Sequence, residues 1–580
     1  MIERLGHPRA PHAVVAFALL LALPSFAIGF FADDYLFIAA LEQRLAFNPA
    51  WWDLYRFTPV SRDALRAQIA EGHFPWWTAP DFHVHLLRPL SSALLALDHA
   101  VFGRHALGWH LHSWLWYAAL LAAAGAWFRS ILPATTAALA LLLFALSDAN
   151  VFPFAWLSAR YGLQAATCVA LGTTAHVRAR RDGWRPGTWL APIVLALGLL
   201  AGESALGGFA FAIAYDLFAA SDLQLRARLR RTLPYVALVL AYLAVYASFD
   251  GGARASGGYI SPIAEPGRVA AAAALRVPLL LGDAIAGIPA ELANTGFTAV
   301  LAVLGALATS LFALYLRACT PVMPPADVRA SRWLALCGLM ALLPATGGFP
   351  GARELLIANL GFAPVMAIAL RAGLVDGRWG RARRVASGSL AVVHIAFAPF
   401  NQLLTQESAR TMANASEAIA RAIVRESASG LRVIVLAASD PMVATYPPLI
   451  STVTSNAPRP CWTRLSGARA DLIITRTGTE SFALALRDDT FLRAPFETLY
   501  RSPSRPAGIG DGALTCGVKV SVAAIERGRP ARIAVASDAP LEAPGITWLA
   551  WRDGALRPIT FPPIGGRMTV AWSPGPSRLY

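Results

Sequence analysis

Two adjacent carboxylates, Asp33 and Asp34, stand in the stretch FFADDYLF directly after an apolar run from Val14 to Phe31. Like charges side by side just outside a hydrocarbon layer are costly unless something uses them, and clustering raises the proton affinity of at least one. That suits a carboxylate to proton transfer. Other charged residues interrupt apolar surroundings: Arg88, Asp148, Arg160, Glu203 in the turn AGESALGG, and the neighbours Arg353 and Glu354. An acid at the end of a span is commonly just solvated, which is the simple reading of Asp148. Glu203 sits in a turn so short and apolar that its carboxylate belongs within the protein, where a charge needs a partner, and Arg160 and Arg353 are suited to pair with such acids. His83, His85, His99, His110 and His112 raise the question of a metal, but their spacing matches no standard cluster.

The elements that position these residues are apolar helices. Apolar residues make up 56% of the chain, charged residues 15%, and mean hydropathy is +0.50. Soluble domains do not look like this. Lys and Arg number 50 against 35 Asp and Glu, but the basic residues cluster in short loops between apolar runs, which points to membrane topology and away from nucleic acid. A bilayer core takes about 20 apolar residues per helix. On that rule the chain has about eleven spans, near 13–31, 108–128, 131–147, 156–177, 188–202, 204–220, 233–249, 297–317, 332–346, 355–372 and 385–403. The first run also has the basic start of a cleaved signal peptide, but its length favours a retained span. Arg4 and Arg9, Arg129, Arg178 to Arg185, Arg226 to Arg231, Arg317 to Arg332 and Arg378 to Arg384 mark the cytoplasmic side. The N-terminus is then inside, the C-terminus outside, and Asp33, Asp34, Arg160, Glu203 and Arg353 share the outer face.

The expected fold is thus a polytopic α-helical membrane protein with a small, mainly β, extracytoplasmic C-terminal domain. Its parts are a transmembrane domain over 1–404, an amphipathic linker over 405–430 and a β-rich domain over 431–580. An outer loop, 32–107, carries the tryptophan-rich stretches WWDLYRF and FPWW and reads as helices lying in the membrane interface. The runs RVIVLAA, DLIITR, SFALALR, VKVSVAA, ARIAVAS and ITWLAW read as strands of the C-terminal domain. Cys461 and Cys516 both fall there, either as a disulfide or as two buried thiols. There is no CxxC, Walker loop, GxSxG or internal repeat.

Taken together, these features resemble the GT-C superfamily of polyprenyl-phosphate-sugar-dependent glycosyltransferases, of which an acidic pair such as FADDY after the first span is a hallmark. Within that superfamily the chain more closely resembles a bacterial branch related to protein O-mannosyltransferases that carry tetratricopeptide repeats. LLRPLSSALLALDHAVFGRHALGWHLHSWLWYA resembles that branch's RPL…LD…FG…H…N segment, and FAWLSARYGLQAA its W-x-S-G-R-x-D-L-L segment. GESALGGFAFAIAYDLF and GARELLIANLGFAPV resemble its K-E-x-A…Y-D-L and R-Y-L-Y-L-P-S-x-G-F segments. The chain departs from the pattern at Ala159, Tyr161, Gly162, Gly202, Glu354 and Ala358, and no repeat array follows.

The resemblance implies a GT-C-like fold in a bacterial inner membrane. It implies an inverting transfer of a sugar from a polyprenyl-phosphate donor to a hydroxyl of a glycan, lipid or protein acceptor. On this reading Asp33 or Asp34 is the general base, the other orients the acceptor or a divalent cation, Arg88, Arg160 and Arg353 are candidate phosphate ligands, and Glu203 either supports the site residues from behind or binds the acceptor. Two other classes stay open on the residues alone: a transporter or flippase of lipid-linked glycans, and a catalytically idle interaction protein. Transporters place such charges near mid-membrane, whereas these lie at span ends.

Overall fold

The computed structural model describes residues 5–219, 224–375, 380–426, 431–455 and 459–577; Arg4, Arg378 and the ends of the 204–220 and 405–430 segments lie outside them. The chain opens with α1 (Ala10–Leu21), which has proline in its first turn and continues as a 3₁₀ turn to Ala27. Three helices then lie at one end of the bundle: α2 (Asp33–Leu41), α3 (Arg62–Ala70) and α4 (Pro89–Phe102). The side chain of Ser61 caps α3 by accepting from the Ala64 amide.

The bundle itself is built from α5 (Ala106–Ile131), α6 (Ala134–Leu146), the short α7 (Val151–Ala155), α8 (Tyr161–Arg181), α9 (Gly187–Ala201), α10 (Phe209–Ala214), α11 (Leu225–Ser248), α12 (Pro266–Ala286), α13 (Thr298–Cys319), α14 (Pro325–Ala345), α15 (Asn359–Gly373), α16 (Gly380–Ala391) and α17 (Ala398–Glu426). Among the described residues six helices are long and apolar enough to cross a membrane, or seven if a pair bent by 58° at Ser147 counts as one. The other expected spans are helical but differ in a physically intelligible way. The 26-residue α5 and 21-residue α8 carry His, Trp, Thr and Arg because neighbouring helices, rather than lipid, cover much of them. The 204–220 run breaks into 3₁₀, α and π pieces. The α12 helix was not among the expected spans, because Arg268, Arg276 and Asp283 interrupt it. Its residues bond toward one end of the bundle: Arg276 donates to the carbonyl of Thr346 at 2.6 Å, and Asp283 shares a small pocket with Asp148.

Charge is segregated along the bundle. At the end away from Asp33, Arg181 donates to the carbonyl of Ser130 at 2.5 Å, Arg228 to that of Leu217 at 3.1 Å, and Arg180 pairs with Asp216 at 3.2 Å. The C-terminal half meets the opposite end. The continuous helix α17 joins the two, so residues 405–426 extend the bundle's last helix instead of forming a separate segment. Gln402 and Gln406 donate to the carbonyls of Ala145 and Leu21, and Ser416 donates to that of Met442.

A small antiparallel pair, β1 (His83–His85) and β2 (Gly252–Arg254), ties together two segments far apart in sequence. Beyond α17 come β3 (Arg432–Ala437), α18 (Pro441–Ala444), α19 (Tyr446–Thr454), β4 (Cys461–Arg464), β5 (Leu472–Arg476), β6 (Ser481–Leu486), α20 (Pro495–Tyr500), β7 (Gly512–Thr515), β8 (Val518–Glu526), β9 (Arg529–Ser537), β10 (Ile546–Arg552), β11 (Ala555–Pro558) and β12 (Arg567–Val570). All six runs read as strands form strands. They belong to a six-stranded antiparallel sheet, β12-β5-β6-β9-β8-β7, and a four-stranded mixed sheet, β11-β10-β3-β4. Alternation explains the first sheet: Val518, Val520 and Val522 face the core while Lys519 faces out.

Cys461 and Cys516 are joined as a disulfide. The same region holds the outer loop, since the Cys516 amide donates to the carbonyl of Ala70 at 2.8 Å. Trp76 and Trp77, read from sequence as interfacial, are instead buried in protein, their indoles donating to the carbonyls of Leu465 and Glu497.

Candidate functional site

Successive residues of a helix point about 100° apart, and this separates the two aspartates at the start of α2. Asp34 turns inward. It accepts from the amide of Phe31 at 2.9 Å, from the amide of Ser158 at 2.7 Å and from the Ser158 hydroxyl. The acidic pair is thereby stapled to the FAWLSAR segment. Asp33 turns toward a cavity of about 360 Å³ and accepts from the Tyr446 hydroxyl at 2.9 Å. Ala32, just before them, has φ +51°, a strained backbone for a residue with a Cβ. Burial pushes Asp34 up to about 7, against its three hydrogen bonds. Burial also raises Asp33 above the ordinary carboxylate range, while the Tyr446 hydrogen bond and the charge of Arg353 pull it back.

The cavity lies between the bundle and the C-terminal half. Asp33, Trp156, Tyr259, Glu291 and Arg353 line one side; Tyr446, Arg459, Trp462 and Arg464 line the other. Arg353 sits in the turn Ala352–Leu355, which Glu291 holds by accepting from the Ala352 amide at 2.7 Å. Its Nε donates to Glu354 at 3.2 Å, and its guanidinium lies 5.6 Å from the centre of the Trp156 ring. Its terminal nitrogens find no acceptor among the described residues, and its charge reaches Asp33 across the cavity. A carboxylate and a guanidinium thus face one space that could hold a small polar group.

The remaining sequence candidates are placed elsewhere. Arg88 and Glu203 form a two-pronged pair, one arm at 2.8 Å, and Arg88 lies 3.5 Å from the centre of the Tyr161 ring. Neither lines the cavity. Arg160 is buried, pairs with Asp98, and donates to the carbonyl of Trp109. Asp98 also binds His112 at 2.5 Å. The structure therefore brings Asp33 and Arg353 together and joins Arg88 to Glu203, while Arg160 stands in a separate network. His83, His85 and His110 are engaged with Asp250, Asp53 and the Gly29 carbonyl respectively. Among the described residues no three His, Cys, Asp or Glu side chains are grouped so as to hold a metal ion. Asp148 accepts from Asn401 at 3.0 Å, outside the main cavity.

Sequence reasoning missed Tyr446, Arg459 and Arg464, which lie more than four hundred residues from Asp33 and carry no local motif. It also passed over Asp98, although LALDHAVFG drew attention to its surroundings. Glu291 stands in an unremarked loop.

No protein family model matches the chain, and no curated protein does either. Among solved structures it is similar to the oligosaccharyltransferase of Archaeoglobus fulgidus tethered with an acceptor peptide. That match has 12% identity and a TM-score of 0.39 and covers 78% of this chain and 64% of that one. It is also similar to ArnT from Cupriavidus metallidurans bound to undecaprenyl phosphate, with 12% identity, a TM-score of 0.41, and coverage of 92% and 98%. The chain spans less than two thirds of the length of the oligosaccharyltransferase, 64%.

Proposed function

We propose that this protein is a membrane glycosyltransferase that moves a sugar from a polyprenyl-phosphate donor to a hydroxyl acceptor at the extracytoplasmic face of a bacterial inner membrane. The observation that carries this reading is that the Asp33 carboxylate and the Arg353 guanidinium face the same cavity. The four ordered sequence segments that resemble the GT-C superfamily support it. The arginine-rich helix ends lie away from Asp33, which supports an outward orientation for the cavity.

In the proposed reaction the acceptor oxygen attacks the anomeric carbon from the side opposite the phosphate, so the configuration inverts. Asp33 takes the hydroxyl proton as the new C–O bond forms. The bond from carbon to the lipid phosphate breaks, and the polyprenyl phosphate leaves with the electron pair. Arg353 offers its terminal nitrogens to that growing charge. Burial of Asp33 favours the proton-bound product of this step. Asp34 positions the pair through Ser158 and Phe31. Arg88, Glu203 and Arg160 are positioning residues that fix Tyr161 and the segment after Trp156. No step is assigned to a divalent cation.

The experiment is a comparison of a deletion strain with its parent. The reading expects one envelope glycan modification to disappear while its polyprenyl-phosphate sugar accumulates, with Arg353→Ala reproducing the loss and Arg353→Lys giving a partial one. Unchanged glycans and unchanged lipid-linked sugars would sink it.

A further inference from the structure

The C-terminal wall of the cavity carries two guanidinium groups that no carboxylate contacts directly among the described residues. Arg464 is 4% exposed, lines the cavity, and makes no ion pair with a carboxylate among the described residues. One terminal nitrogen donates to the Thr445 hydroxyl at 2.5 Å, the guanidinium also bonds the Tyr500 hydroxyl, and its buried Nε has no partner. Aromatic rings hold the guanidinium in place: its carbon lies 4.1 Å from the centre of Phe496, 5.3 Å from Tyr500 and 5.4 Å from Trp77. The carboxylate whose charge reaches it, Glu497, is spent on the backbone amides of Gly467, Arg493 and Ala494.

Arg459 lines the same wall. It donates to Nδ1 of His73 at 2.6 Å, and the nearest carboxylate charge, Glu71, reaches it only through the far side of that ring, at 3.3 Å from His73 Nε2. Burial and the neighbouring Arg459 hold His73 neutral, far below the ordinary histidine range, so it contributes no compensating or added charge. Each desolvated guanidinium costs stability in the empty protein, because burial opposes its charge. Such an arrangement is kept where a ligand supplies the missing charge, at a cost to stability.

We propose that Arg464 and Arg459 form an oxyanion subsite that takes a phosphate-class group of the second substrate, apart from the lipid phosphate assigned to Arg353. This rests on the glycosyltransferase reading for the word substrate, but not for the anion site itself. The aromatic rings fix the plane of the Arg464 guanidinium, so its recognition is directional, and a lysine would not reproduce it. Because Arg464 bonds to Thr445, whose neighbour Tyr446 holds Asp33, an anion on this wall sits beside the base.

The test uses the full chain purified in detergent, with thermal unfolding followed in the presence of inorganic pyrophosphate or of farnesyl phosphate. The parent is expected to show a saturable rise in Tm with pyrophosphate. Arg464→Met and Arg459→Met should each weaken that response by more than about tenfold in apparent Kd. Arg464→Met without ligand should melt no lower than the parent, because it removes an uncompensated buried charge. If Arg464→Met fails to fold, Arg464→Lys replaces it, and the same loss of pyrophosphate response is expected. Farnesyl phosphate binding should depend on Arg353 and not on Arg464; dependence of farnesyl phosphate alone on Arg464 would overturn the assignment to a second substrate. No saturable response in the parent, or parental binding of both probes by the Arg464 variant, would overturn the subsite. Failure of sugar transfer with an intact pyrophosphate response would count against the enzyme reading alone.

Discussion

Tyr446→Phe removes a single oxygen, and the structure says what that oxygen does. The hydroxyl donates to Asp33 at 2.9 Å and lowers the carboxyl's proton affinity against the raising effect of burial. A hydrogen bond to a charged group contributes about 1.5–3 kcal/mol. Asp33 faces the cavity, so water can replace part of the lost bond, and the lower end applies. Since 1.4 kcal/mol is a factor of about ten, the ionised form of Asp33 should become about tenfold scarcer wherever it is the minor species. A base must be ionised to act. Transfer measured against pH with a labelled lipid-linked sugar should therefore fall about tenfold on the acid limb and return to the parental rate on the alkaline plateau. The midpoint moves upward. An equal loss at every pH would mean that the hydroxyl only supports packing, and an unchanged profile would mean that Asp33 is not the titrating base.

Asp34→Asn should act on stability more than on chemistry, because an amide nitrogen would face donors from Ser158 or Phe31; the cost is about 1–3 kcal/mol, read as a lower Tm in purified protein. Asp34 is raised to about 7, so the stability it contributes is full below the ordinary carboxylate value and is lost as pH rises through about 7; that component of the Tm profile should vanish in Asp34→Asn. Arg88→Met alone leaves Glu203 without its partner and should cost about 3–5 kcal/mol, most of which Arg88→Met with Glu203→Met should recover. Additive losses in that cycle, measured by chemical denaturation, would remove the pair from the account.

What the sequence disclosed follows from the range over which each signal acts. The β-like runs became strands because alternation over a few residues is set by the residues themselves. The DD pair was conspicuous for the same reason, but its division of labour was not. Asp34 faces inward because Ser158 stands ready to donate, and Asp33 faces the cavity because Tyr446 closes on it from the C-terminal half. Arg88 and Glu203, separately suggestive in sequence, are each other's partner; only the fold brings residues so far apart into a two-pronged contact. The span pattern was least legible where helices are shielded by protein. The α5 and α8 segments read as spans and are helices, but neighbours cover them, so they carry His, Trp, Thr and Arg, while α12, interrupted by Arg268, Arg276 and Asp283, was not among the expected spans.

The most direct measurement of the central claim is sugar transfer by the purified chain carrying Asp33→Asn. Asparagine keeps the size of the side chain and can still accept from Tyr446, but it cannot take the acceptor's proton. The account predicts a folded protein, with a parental Tm and unaltered binding of farnesyl phosphate, whose transfer rate falls by about 10²–10⁴-fold. Transfer at the parental rate by the folded Asp33→Asn protein would contradict the account.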